Sequence, residues 1–149
     1  MSISYDLFLG AFLSKISEYD FIELPEEDRI ATIDDYMKRS ISGFKKNCKY
    51  DLISTANDNE REFNVDIDTA DIDEIVDIVS EGMVVQWLKP YIYKQELLEN
   101  GLNTRDFTTY SSAGLLYRVG ETYRKAQSDY IQLIREYSYN NGKLSELHI

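Results

Sequence analysis

The chain is poor in reactive side chains. Its single cysteine, Cys48, sits in the run Lys45-Lys46-Asn47-Cys48-Lys49, and neighbouring ammonium groups lower a thiol pKa. A working nucleophile also needs a base held beside it. The one histidine, His148, is second from the end of the sequence, with no partner that the sequence would orient. Cys48 therefore reads as an incidental or partly buried thiol, and His148 as a terminal imidazole without a catalytic role. There is no glycine-rich phosphate loop, no pair of cysteines, no HExxH and no GxSxG. The expectation is a protein that is not an enzyme and uses no cofactor and no metal.

The acidic residues are the other candidates for chemistry. From Asp58 to Glu81 the chain carries ten acids against Arg61 alone. The stretch DIDTADIDEIVD resembles a calcium loop only superficially. Its third ligand position is Ala70, the required turn glycine is Asp71, and the closing glutamate is Asp77. At helical spacing, Asp73, Asp77 and Glu81 instead share one face opposite a stripe of Ile and Val, which reads as a solvated face. The alternative is a deliberately negative surface turned toward a basic partner or a DNA conduit. Its counterpart is Lys38, Arg39, Lys45, Lys46 and Lys49, a run with no acid between positions 38 and 49. In an acidic protein such a basic face allows contact with the acidic patch of the next copy, and head-to-tail contacts close into rings when the rotation permits.

The elements that must position these residues read as helices almost throughout, giving a mainly α fold, a small bundle of about four helices in one domain, residues 1–149. The first helix is expected from about Ser4 to Tyr19, with Leu7, Phe8, Ala11, Phe12 and Ile16 as its stripe. The second opens at LPEEDR, where Pro25 and the acids that follow suit a first turn. Its stripe is Ile30, Ile33, Tyr36 or Met37, Ile41 and Phe44. Residues 48–67 lack a helical period. Alternation at Phe63, Val65 and Ile67 allows a short β-hairpin around residues 50–67, and the polar STANDNERE reads as a mobile loop. The third helix starts with Asp68 or Thr69 as cap and carries Ile72, Ile75, Val76, Val79, Met83, Trp87 and Leu88. Trp87 is expected to anchor the core, Pro90 to kink or break the helix, and Gly101 to cap its end. Ser111 or Ser112 caps a fourth helix reaching about Asn140. Its heptad-like seam is Leu115, Val119, Tyr123, Ala126, Tyr130, Leu133 and Tyr137. Residues 141–149 read as an extended C-terminal tail.

Composition sets further bounds. The 149 residues carry 27 acids and 16 bases, a net charge of −11. Duplex binding by phosphate neutralisation is thereby disfavoured, although a surface that DNA slides past would also avoid bases. One cysteine excludes an internal disulfide framework. No apolar run approaches the ~20 residues that a membrane span needs, and the N-terminal stretch reads as a mature helix, not a signal peptide. Twelve tyrosines suit contact surfaces that stay partly wet.

Several stretches are familiar when taken together: EFNVDI, SEGMVVQWLKPYI, LLENGLNTRDFTTYSSAGLLYRVGETY and the tyrosine-rich last helix. Between about Ile30 and Tyr139 the pattern resembles head–tail connector, or adaptor, proteins from the necks of tailed bacteriophages. The positions that carry it are Phe44, Phe63, Met83, Trp87, Leu88, Pro90, Leu98, Asp106, Phe107, Tyr110 and Ser111. The resemblance implies a helical virion protein, present in the host cytoplasm before assembly, that forms a ring with neighbouring copies, commonly a dodecamer. Such a ring sits on the portal protein, extends the DNA channel without specific DNA binding, and docks a stopper or tail-completion protein. It also implies a C-terminal portal anchor, for which Lys143, Leu144, Leu147 and Ile149 are the candidates. The alternative reading is a standalone helical interaction module or small regulatory oligomer.

Overall fold

The computed structural model describes residues 2–17, 29–101 and 110–140. In chain order these form β1 (Ile3–Ser4), α1 (Tyr5–Ile16), α2 (Arg29–Phe44), β2 (Ala56–Asn57), β3 (Glu62–Phe63), α3 (Thr69–Gly101) and α4 (Tyr110–Asn140). The protein is mainly helical, a four-helix bundle with a small antiparallel sheet.

Ser4 has extended backbone angles, and its side chain accepts a hydrogen bond from the Asp6 amide, which caps α1. Tyr5, Phe8, Phe12 and Ile16 form the buried face of α1. The stripe therefore runs through Tyr5 rather than Leu7, which is 48% exposed. On α2 the buried face is Ile33, Met37, Ser40, Ile41 and Phe44. Met37 takes the core position left open between it and Tyr36, and Ile30 is outside the core. Pro25 and the acidic turn after it lie outside the described residues.

α3 begins where Asp68 offers its carbonyl to the amides of Asp71 and Ile72, at 2.8 and 3.1 Å. It packs against all three other helices. Between Ile78 and Leu88, only Glu81 and Gln86 escape full burial. A helix apolar on nearly every side belongs at the centre of a bundle. α3 runs without interruption through Pro90 to Gly101, so of the expected kink or break, the break does not occur. Proline brings no amide, so the Gln86 carbonyl lacks the hydrogen bond it would have accepted within the helix. Gly101 closes the helix as expected. α4 already includes Tyr110, so Ser111 and Ser112 fall inside its first turn and do not precede it.

The α4 seam packs as its spacing implies: Val119, Ala126 and Tyr137 are buried, and Tyr123, Tyr130 and Leu133 pack against the same core. Tyr130 crosses the bundle. Its hydroxyl donates to the Ser40 carbonyl at 2.5 Å, while the Ser40 hydroxyl donates to the Val79 carbonyl at 2.7 Å. This crossing needs Gly82. A Cβ there would lie 2.0 Å from Ser40 Oγ and 2.6 Å from a Tyr130 ring carbon. At Gly43 a Cβ would lie 2.7 Å from the Tyr130 hydroxyl.

The hairpin around residues 50–67 is present, as β2 and β3, and it gains a third strand from the N-terminus. The sheet order is β1-β3-β2, with Ile3 opposite Phe63 and Ala56 on its other side. The stretch read as a mobile loop is thus a folded hairpin. Asn57 accepts from the amides of Asn59 and Glu60 and so shapes its turn. Phe63 is buried against Tyr5 and Phe8, with ring centroids 4.8 and 5.5 Å away.

Two substitutions test this core by urea unfolding. Trp87 is 1% exposed and meets the Phe12 ring edge-on at 6.1 Å, so Trp87→Ala should cost about 3–5 kcal/mol. Gly82→Ala should cost about 1–3 kcal/mol by overpacking, although alanine is the better helix former; an unchanged or raised midpoint would contradict the close crossing.

Candidate functional site

The structure separates the charged residues that the sequence groups together. Along α2, Lys38 donates to Asp58 at 2.6 Å and Arg39 pairs with Asp35 at 3.0 Å. These two are occupied within the chain. Lys49 approaches Asp71 at 3.8 Å and lies over the Tyr50 ring. Lys45 and Lys46 are exposed beyond these pairs. The basic run is therefore two internal contacts followed by a lysine cluster at the end of the helix.

The acidic face divides in the same way. Asp73 is exposed, and Asp77 is exposed while receiving Lys15 of α1 at 2.7 Å. Glu81 departs from the solvated reading. It is half-buried in an open groove between α1, α3 and α4, with Asp129 and Glu136 also on the lining. Burial pushes the Glu81 carboxyl above its ordinary range; Asp129 and Asp77 add to the rise, while Lys15 and Lys125 oppose it.

Sequence reasoning missed the charged node that holds the hairpin. Arg61 has a positive φ of 53°, which is uncommon for a residue with a Cβ. Its guanidinium grips both oxygens of Asp34 at 2.8 Å and reaches Asp6 at 2.8 Å. Its carbonyl accepts from the Tyr5 amide at 2.9 Å. Beside it, Asp58 accepts from Tyr5 at 2.7 Å and from Lys38. The lysine and then the tyrosine hold its carboxyl below the usual range. The only sequence signal was a lone base among acids, which marks a residue with a choice of partners without saying which.

Cys48 is half-buried and continues the turn after α2, its amide donating to the Phe44 carbonyl at 3.1 Å. Nearby, Tyr137 meets the Phe44 ring edge-on at 5.1 Å, and its hydroxyl accepts from the Lys49 amide. Burial pushes that phenol up to about 12. His148 and the candidate anchor Lys143, Leu144, Leu147 and Ile149 lie outside the described residues. Among the described residues, no three His, Cys, Asp or Glu side chains converge in a way that could hold a metal ion. No helix among them is long and apolar enough to cross a membrane. The charged surfaces among the described residues are the lysine cluster at the end of α2 and the acidic groove on α1, α3 and α4.

Comparison with protein-family models, with curated proteins and with solved structures finds no match to this chain.

The Glu81 environment carries a pH signature. Its folded pKa is raised above the ordinary 4.5, so ionisation costs stability above the folded pKa, and that cost fades as pH falls toward the unfolded value. Glu81→Gln should raise the melting temperature at pH 7, and the gain should vanish below about pH 4. Thermal melts across that range check it; a gain independent of pH would show that packing, not charge, is responsible.

Proposed function

We propose that this chain is a structural subunit of a tailed-phage neck, assembling as a ring on the portal protein. The observation that supports the reading is where five of the eleven family-like positions fall in the fold; Pro90 is exposed, and the side chains of the other five lie outside the described ones. Phe44, Phe63, Met83, Trp87 and Leu88 are all at most 1% exposed. The resemblance is thus a resemblance of core pattern. The five residues belong to α2, β3 and α3, so the shared pattern specifies how the central helix is wrapped.

The net charge of −11 supports the same reading. A ring that passes DNA must not hold it, and carboxylates facing a channel repel phosphates at any sequence. In this reading, one end of the ring meets the portal and the other receives the stopper or tail-completion protein.

Mixed with the portal protein encoded in the same genome, the purified chain should add a ring of density to the portal in negative-stain micrographs. Absence of binding, together with neck particles that lack the chain, would overturn the proposal. A stable small oligomer that captures a non-virion partner would replace it with the regulatory reading.

A further inference from the structure

The C-terminal end of α2 and the segment after it enclose an open groove of about 420 Å³. Its floor is apolar: Ile41, Phe44 and Leu52 are almost wholly buried, and Ile53 stands 48% exposed at its edge. Its rim is Lys45, Lys46 and Lys49. The one carboxylate there, Asp51, is turned to its own segment, accepting from the amides of Ile53 and Ser54 and from the Ser54 hydroxyl. No ion pair within the chain occupies Lys45 or Lys46 among the described residues, unlike Lys38, Arg39 and Lys49.

An opposite surface lies elsewhere on the same molecule. The groove of about 310 Å³ between α1, α3 and α4 is lined by Asp77, Glu81, Asp129 and Glu136 with one cation, Lys15, while Lys125 also acts on Glu81. Lys15 is already engaged by Asp77, and neither Glu81 nor Asp129 has an ion pair of its own among the described residues. Leu133, half-buried, also lines this groove. The two grooves share no residue. One presents Lys45 and Lys46 around an apolar floor, and the other presents Glu81 and Asp129 beside the half-buried Leu133, none of the four with an ion pair among the described residues.

We propose that the lysine-rimmed groove at the end of α2 receives the acidic α1–α3–α4 face of a second copy of this chain. The joined surfaces differ, so the contact is head-to-tail. Each added copy leaves one groove of each kind open, until the chain of copies closes on itself. This deepens the ring reading and rests on it only for closure; the contact itself stands on the two surfaces. Glu81 then has a use for its unfavourable position. A carboxylate that burial already disfavours gains most from an incoming ammonium group.

Sedimentation velocity of the full chain tests the contact, with reversed charges on each groove. The wild type should self-associate at low salt, and its apparent Kd should rise by about tenfold or more at high salt, as screening of exposed charges requires. Lys45→Glu with Lys46→Glu, and separately Asp129→Lys with Glu136→Lys, should each be monomeric with an unchanged circular dichroism spectrum. An equimolar mixture of the two variants should regain the larger species, because each reversed groove then meets its complement. A wild type that stays monomeric at low salt overturns the proposal, and so do folded variants that fail to complement. The wild-type measurement keeps the proposal falsifiable even if a variant does not fold. If the lysine variant loses portal binding while self-association is unchanged, the groove belongs to the portal and the proposal is wrong. Portal binding without self-association likewise removes this contact and leaves the neck reading standing; self-association without portal binding does the reverse.

Discussion

The crossing of α2, α3 and α4 sets the geometry of everything around it. Helices packed through ordinary side chains keep their axes about 8–10 Å apart. Here Gly82 supplies no side chain, and Ser40 and Tyr130 occupy the space that a Cβ would need. The Ser40 hydroxyl, 1% exposed as a residue, finds the Val79 carbonyl, and Tyr130 brings its hydroxyl to the Ser40 carbonyl. A glycine inside a helix costs about 0.5–1 kcal/mol relative to alanine. Two glycines, at 43 and 82, accept that cost beside the same tyrosine. The close approach fixes α3 at the centre, and Met83, Trp87 and Leu88 follow from it as residues with no route to solvent.

The small sheet depends on the same arrangement at one remove. A three-stranded sheet with two residues in each strand has little cohesion of its own. What holds it is a side-chain clamp: Phe63 between Tyr5 and Phe8 beneath, and Arg61 across Asp34 and Asp6 at its edge. The paired Asp34 is 16% exposed and the Arg61 side chain 28%, so this bidentate contact is better shielded than a surface ion pair. The left-handed backbone at Arg61 aims the guanidinium at α2 while its carbonyl caps the start of α1. A segment without helical period thereby becomes the fastener between the N-terminus and α2.

Charge outside these contacts is distributed unevenly. Arg61 is engaged in a shielded pair that holds the fold, and Lys38 and Arg39 in exposed pairs of small worth, whereas Lys45, Lys46, Glu81 and Asp129 have no ion pair among the described residues. The remainder forms the material from which a subunit contact can be built, and it lies on two separate surfaces. The proposal that the protein is an assembling subunit rests on that separation of charged surfaces.

Helical periodicity was legible because it is local. The α4 seam through Tyr137, the Ser4 and Asp68 starts, and the burial of Trp87 each follow from side chains three or four positions apart. The hairpin at residues 56–63 was legible as alternation, but β1 was not, because its pairing joins positions about sixty residues apart. Nor did spacing reveal the pairing of Arg61 with Asp34, the lodging of Tyr130 over two glycines, or the partial burial of Glu81. Among the acids, Asp73 and Asp77 kept the exposure their helical face implied, while Glu81, on the same face, was covered because α4 passes beside it. Pro90 shows the converse, since a strong local signal for breaking a helix was overridden. The sequence determined which segments are helices and which face of each is apolar, because a 3.6-residue period is written in neighbours. Tertiary structure decided which charges are spent and which remain free, because close approach and desolvation depend on segments that the chain brings together only by folding.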